Sequence, residues 1–142
     1  MKLTIEHIAL SVTNLERSIA FYRDVIGFKV IRIIECTEKM KLGNITGMPG
    51  CIARIAHLQS GKIMLEIFEY KYPKGKKNSN NRKQADHGLI HIGFTSTNIH
   101  ADYKRLKKLS VKFFNMPIEF RQNVWIVYFY GPDNEVCELR QT

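Results

Sequence analysis

The chain reads as an α+β protein built from two βαβββ modules, and three observations point there. Two stretches, 5–12 and 89–95, alternate like half-buried strands around one histidine each, His7 and His91. Each is followed at the same distance by a helix start, Thr13-Asn14-Leu15 and Thr97-Asn98-Ile99. Each half then closes on a strand with one glutamate among apolar neighbours, Leu65-Glu66-Ile67 and Cys137-Glu138-Leu139. A supersecondary unit that recurs says more about fold than one periodicity does.

The opening strand sets Ile8, Leu10 and Val12 on one face and Ile5, His7, Ala9 and Ser11 on the other. Thr13 with Glu16 three residues on predicts a capping box, with Asn14 as the alternative N-cap. Leu15, Ile19, Tyr22 and Ile26 recur at helical spacing and Gly27 supplies a stop, which predicts a helix over 14–26. Phe28 to Ile34 is rich in β-branched residues and reads as a strand. Between Glu35 and Gly50, Gly43, Gly47, Pro49 and Gly50 exclude one long regular element. That leaves a loop with room for a short helical turn, a candidate lid with Met40, Met48 and Pro49 as its contacts. Cys51 to Leu58 reads as a strand, Ser60-Gly61 as a turn and Lys62 to Tyr70 as the hairpin partner. On that partner Ile63, Leu65 and Ile67 share one face, and Met64, Glu66 and Phe68 share the other.

A polar connector, 71–87, separates the halves. In the second half the strand at 89–95 places His91 opposite Ile90, Ile92 and Phe94. A helix follows with Ile99, Tyr103, Leu106 and Leu109 at core spacing, then an apolar strand near Val111 to Phe114. Val124 to Tyr130 is a further strand, Gly131-Pro132-Asp133-Asn134 a turn, and Glu135 to Arg140 the last strand. The 142 residues are expected to form a single domain, with module one at 1–70, the connector at 71–87 and module two at 88–142.

Composition narrows the class. Hydrophobic residues at 44% and charged residues at 25% are near the globular average, so wholesale disorder is not expected. Cys36, Cys51 and Cys137 are odd in number and form no CxxC pair, against a disulfide framework or a cysteine zinc site. With no apolar run of membrane length and Met1-Lys2-Leu3 leading straight into a strand, neither a membrane span nor a signal peptide is expected, and the expected compartment is the cytoplasm. The formal charge of +9 raises nucleic acid as a partner. Six of the 22 basic residues (Lys71, Lys74, Lys76, Lys77, Arg82 and Lys83) lie in the connector, however, and no helix has a continuous basic face. A solvated loop ranks first, attraction of an anionic small-molecule substrate second and nucleic acid third.

His7, Glu66, His91 and Glu138 each have apolar neighbours that must pack under the helices, which turns all four side chains to the other sheet face. Glutamates on an enclosed face are costly unless compensated, and a divalent cation compensates them. One His–Glu pair would not outweigh four unrelated polar residues; two pairs at matching places in a repeat do. Two imidazoles and two carboxylates suit Zn, Ni, Co, Mn or Fe with positions open to water or substrate.

The stretches His7-Ile8-Ala9-Leu10-Ser11-Val12, Phe21-Tyr22-Arg23-Asp24-Val25-Ile26-Gly27-Phe28, Leu65-Glu66, His91-Ile92-Gly93-Phe94 and Pro132-Asp133-Asn134 leading to Glu138-Leu139 resemble the vicinal oxygen chelate superfamily. That group includes glyoxalase I, methylmalonyl-CoA epimerase, fosfomycin-resistance proteins and extradiol dioxygenases. The resemblance implies paired βαβββ modules forming a cupped mixed sheet around a metal site, and a homodimer. The metal positions of glyoxalase I-like members fall on His7, Glu66, His91 and Glu138. Epimerases carry an amide at the Glu66 position, and the fosfomycin-resistance and dioxygenase patterns use only the places of His7, His91 and Glu138. The expected function is therefore a glyoxalase-like lyase, isomerase or epimerase, in which Glu138 or Glu66 moves the proton next to a metal-chelated carbonyl. The alternatives are a thiol transferase or extradiol dioxygenase, or a non-catalytic drug- or metabolite-binding protein. Glyoxalase I has an arginine, four residues after its first ligand, that helps hold glutathione; here that place is Ser11.

The remaining candidates read as structural. Cys51 is expected in the core or at its rim, His57 on a strand surface, His87 in the connector and His100 on an exposed helix face. Trp125, Tyr128 and Phe129 read as core, with a pocket-lining role second.

Overall fold

A computed structural model describes residues 2–79 and 81–142 and divides into two compact units, Met1–Lys77 and Asn78–Thr142. The first runs β1 (His7–Ser11), α1 (Leu15–Ala20) continued by a π-helical stretch (Phe21–Ile26), β2 (Lys29–Cys36), α2 (Leu42–Thr46), β3 (Ile52–Ser60) and β4 (Ile63–Tyr72). The second runs β5 (Ile92–Thr95), α3 (Ile99–Lys108), β6 (Ile118–Arg121), β7 (Val124–Tyr130) and β8 (Val136–Gln141). Each unit holds one four-stranded mixed sheet, ordered β1-β4-β3-β2 and β5-β8-β7-β6. In both, the first strand runs parallel to the last and the other pairings are antiparallel. The α+β reading with two βαβββ modules therefore stands.

In the first unit, Leu15, Ile19 and Tyr22 are buried against the sheet face of Ala56, Leu58, Leu65 and Ile67. Asn14 is the N-cap, accepting from the Arg17 N–H at 2.8 Å. The capping box is corrected: Asn14, the alternative, is the N-cap, and Glu16 pairs with Arg54 of β3. The helix ends where expected, with Gly27 at φ 105 closing onto the Tyr22 carbonyl. The candidate lid is shorter than its sequence signals suggest, because Glu35 and Cys36 extend β2 and pair with Arg54 and Ala53. The rest of it carries α2, whose Gly43 packs so closely on the Met48 carbonyl that a Cβ would lie 2.6 Å from it.

In the second unit, Ile99 and Leu106 of α3 are buried, as are Val127, Phe129, Cys137 and Leu139 of β7 and β8. Asn98 caps α3 as expected, accepting from the Ala101 N–H at 3.0 Å. The strand read at Val111 to Phe114 is not formed. Phe113 makes one isolated bridge to Phe129, and the hairpin partner of β7 is Ile118–Arg121. That hairpin closes on a two-residue turn: Arg121 pairs with Val124 across Gln122-Asn123, and Asn123 takes φ 61 where a glycine is usual. Among the described residues no helix is long and apolar enough to cross a membrane.

Candidate metal centre

The two units place their polar residues by the same rule. In β4, Glu66 stands opposite Ala9 of β1 and His57 of β3. In β8, Glu138 stands opposite Gly93 of β5 and Tyr128 of β7. Both histidines precede that small residue by two, so each lies on its glutamate's face, away from the helix. Ala9 and Gly93 leave room for the carboxylates; a Cβ on Gly93 would sit 4.0 Å from Glu138 Oε1. His7 opens β1 and His91 lies one residue before β5, so neither is mid-strand as expected. His7 pairs with Met64 at the start of the β1–β4 ladder, and His91 lies one residue ahead of the β5–β8 ladder.

Within the first unit, His7 Nε2 lies 3.7 Å from Glu66 Oε2, while Nδ1 is 2.6 Å from Glu6 Oε2. The Glu6 hydrogen bond, and next the charge of Glu66, hold the His7 pKa above its ordinary value. Within the second, His91 Nε2 lies 3.3 Å from Glu138 Oε2, and Nδ1 is 3.2 Å from Gln84 Oε1. Glu138 is 9% exposed. The Tyr128 ring lies 5.2 Å from His91, and Tyr128 stands opposite Glu138 in the β7–β8 register. Burial above all, then the charge of Glu138, push the Tyr128 phenol pKa up.

These pairs fit a divalent ion. Two donors at zinc–nitrogen and zinc–oxygen distances on a tetrahedron stand about 3.4 Å apart, close to both His–Glu separations. Metal-ligating imidazoles also present one nitrogen to the ion and give the other to a carboxylate or carbonyl oxygen, as Glu6 and Gln84 provide here. Among the described residues no three His, Cys, Asp or Glu side chains converge into a group that would hold an ion.

His57 is corrected. It is 7% exposed rather than on a strand surface, with Nε2 3.2 Å from Glu66 Oε1 and Nδ1 accepting from Arg32 Nε at 3.1 Å. Counting back from the turn that joins β3 to β4 would have set His57 opposite Glu66, since hairpin register follows turn length. Glu6 and Gln84 carry no comparable sequence signal. His100 is exposed as expected and lays its ring 4.7 Å from Trp125. The three cysteines are free and buried, and burial raises the Cys36 thiol pKa first, with Cys51 and Glu35 adding to it.

The Glyoxalase/Bleomycin resistance protein/Dioxygenase superfamily model matches residues 4–139. No curated protein matches the chain. Among solved structures, it is similar to a glyoxalase family protein from Bacillus cereus at 18% identity, covering 99% of this chain and 94% of that one with a TM-score of 0.88. A glyoxalase family protein from Enterococcus faecalis shares 21% identity over 97% of both chains, TM-score 0.75. The trypanothione-dependent glyoxalase I of Leishmania major shares 18%, covering 99% and 87%, TM-score 0.71. At these identities the structural likenesses speak for the fold, and the family model for membership. With the family match spanning nearly the whole chain and the repeated β1-β4-β3-β2 order beneath it, the protein is a member of the Glyoxalase/Bleomycin resistance protein/Dioxygenase superfamily.

Proposed function

We propose that this chain is a metal-dependent lyase, isomerase or epimerase of the glyoxalase I type, acting on a small substrate that carries a carbonyl. The observation that carries the reading is the twice-repeated His–Glu pair in one register, with each imidazole's Nδ1 held by a neighbour's oxygen. His7 and Glu66 in the first unit, like His91 and Glu138 in the second, would supply one nitrogen and one oxygen donor. The ion is one of Zn, Ni, Co, Mn or Fe, all compatible with imidazole and carboxylate donors. When bound, it contributes Lewis acidity toward a chelated carbonyl, an effect of several kcal/mol.

The proton steps belong to the protein. Glu138 or Glu66 takes the proton from the carbon next to the carbonyl and returns it, as a carboxylate base does within hydrogen-bond reach. Tyr128 stands opposite Glu138 on the neighbouring strand and flanks that carboxylate. The sheet-face setting of both glutamates limits water around that proton.

The test has two arms. Elemental analysis of protein purified without a histidine tag should find a stoichiometric divalent metal. Exchange of the α-proton of accepted oxo-acids, thioesters or hydroxy-ketones for solvent deuterium should follow metal loading and fall with Glu138→Gln or Glu66→Gln. Exchange absent from every bound substrate would move the assignment to the thiol transferase or dioxygenase chemistry of the same superfamily.

A further inference from the structure

We propose that His57 is a positioning residue for Glu66, locked in one tautomer by Arg32; the inference rests on the reading of Glu66 as a metal ligand. Arg32, His57, Glu66 and Ala9 form one cross-strand row over β2, β3, β4 and β1, all on the sheet face away from α1. The Arg32 guanidinium has only N–H donors and keeps its proton in proteins. Its Nε–H points at His57 Nδ1 from 3.1 Å, so Nδ1 must present its lone pair and the ring proton sits on Nε2. That N–H faces Glu66 Oε1 at 3.2 Å and donates to it.

The two oxygens of Glu66 are thereby divided. Oε1 is tied to His57, and Oε2 is the oxygen turned to His7 Nε2 at 3.7 Å. The last torsion of a glutamate is broad, so an unheld carboxylate samples many orientations. A buried imidazole that offers one fixed N–H removes that freedom and presents Oε2 alone to the ligand side. The same lock excludes His57 as a ligand, because its Nε2 lone pair is used by the proton. At the equivalent place of the second unit Tyr128 stands opposite Glu138, and its ring neighbour is Phe114 at 5.8 Å, a residue outside β6 that supplies no such donor. The halves of the repeat therefore differ beside their glutamates, with a cation-anchored imidazole in the first and a tyrosine in the second.

The tautomer is read directly, and without metal, from long-range proton–nitrogen correlation spectra of protein carrying labelled histidine. His57 should show a protonated Nε2 and an unprotonated Nδ1, and Arg32→Met should mix the two forms. Competition titration with zinc gives the second readout. His57→Phe should weaken zinc binding about 10–100-fold, the usual cost of losing a partner that orients a ligand. His57→Gln, which keeps an N–H near the Nε2 position, should restore affinity to within a few fold. Should His57→Phe fail to fold, Arg32→Met decides the matter, since it changes an exposed edge-strand residue and should still weaken binding several-fold. A protonated Nδ1 in the unaltered protein would overturn the proposal. So would wild-type zinc affinity in His57→Phe beside a weakened Glu66→Gln, with the ligand reading left standing. Unchanged affinity in Glu66→Gln would remove the ligand reading and this role with it.

Discussion

Glu69 Oε2 accepts a 2.6 Å hydrogen bond from the backbone N–H of Leu15, the first residue of α1. Gln141 does the same for α3, accepting from the Ile99 N–H at 2.7 Å. Both acceptors follow a site glutamate by three residues, so the strand that presents the carboxylate on one face anchors the helix from the other. The first amides of a helix have no partner within it, and these side chains supply one.

Glu69→Ala should therefore destabilise the protein by about 1.5–3 kcal/mol, the range for a hydrogen bond to a charged group. Glu69→Gln, which copies Gln141, should recover most of that. Urea unfolding followed by circular dichroism measures both.

The same residue gives a pH dependence. Burial works to raise the Glu69 pKa, but the Lys71 ammonium at 2.6 Å and the Leu15 N–H together outweigh it, and the net shift is downward. Folding therefore favours the ionised form. Its contribution is fully present above the ordinary glutamate value of 4.5 and is lost as pH falls through the lower, folded value. The unfolding midpoint of the unaltered protein should drop with acidification in that window more steeply than that of Glu69→Gln. Parallel curves would show that Glu69 contributes nothing there.

His91→Ala should cut metal occupancy sharply while leaving the helical signal intact, because it removes one neutral donor from the sheet face away from the helix. Elemental analysis of the purified variant checks it. Stoichiometric metal in that variant would show the four-donor assignment to be wrong.

Metal-loaded protein should show little or no activity on the methylglyoxal–glutathione hemithioacetal. Ser11, the last residue of β1, is exposed and carries no charge where the glyoxalase I pattern has its arginine. The connector passes beside it, close enough that a Cβ on Gly75 would be 3.8 Å from Ser11 Oγ. Its exposed lysines steer an anion in low salt but fix no pose. A steady-state assay with and without glutathione decides this, and efficient glutathione-dependent turnover would make the protein an ordinary glyoxalase I.

Gly43→Ala should destabilise the first unit by about 1–3 kcal/mol, the usual cost of forcing an atom into filled space. The new Cβ would meet backbone, the Met48 carbonyl at 2.6 Å and the Gly50 and Cys51 N–H groups at 3.3 Å, none of which can swing aside. Loss of protease resistance around α2, relative to the unaltered protein, is the sign to look for.

The amino-acid order by itself determined the repeat, because its signals are local: alternation through His7 and His91, Asn14 and Asn98 before their helices, Gly27 after the first. Parity along a strand likewise placed Glu66 and Glu138 on the face away from Leu65, Ile67, Cys137 and Leu139. What depended on pairing between distant segments was decided only by the tertiary structure. Glu16 has two local futures, its own helix or Arg54 thirty-eight residues away, and the guanidinium took it because β3 lies beneath α1. Residues 112–114 and Ile118–Arg121 both run beside β7, the first against 128–130 by an isolated bridge and the second against 124–126 as a ladder, a division that only the pairing reveals. His57 read as a surface residue because nothing in its own neighbours reveals Arg32 on one side and Glu66 on the other. Burial of a polar side chain is tolerable only where its partners are in place, and those partners come from two other strands.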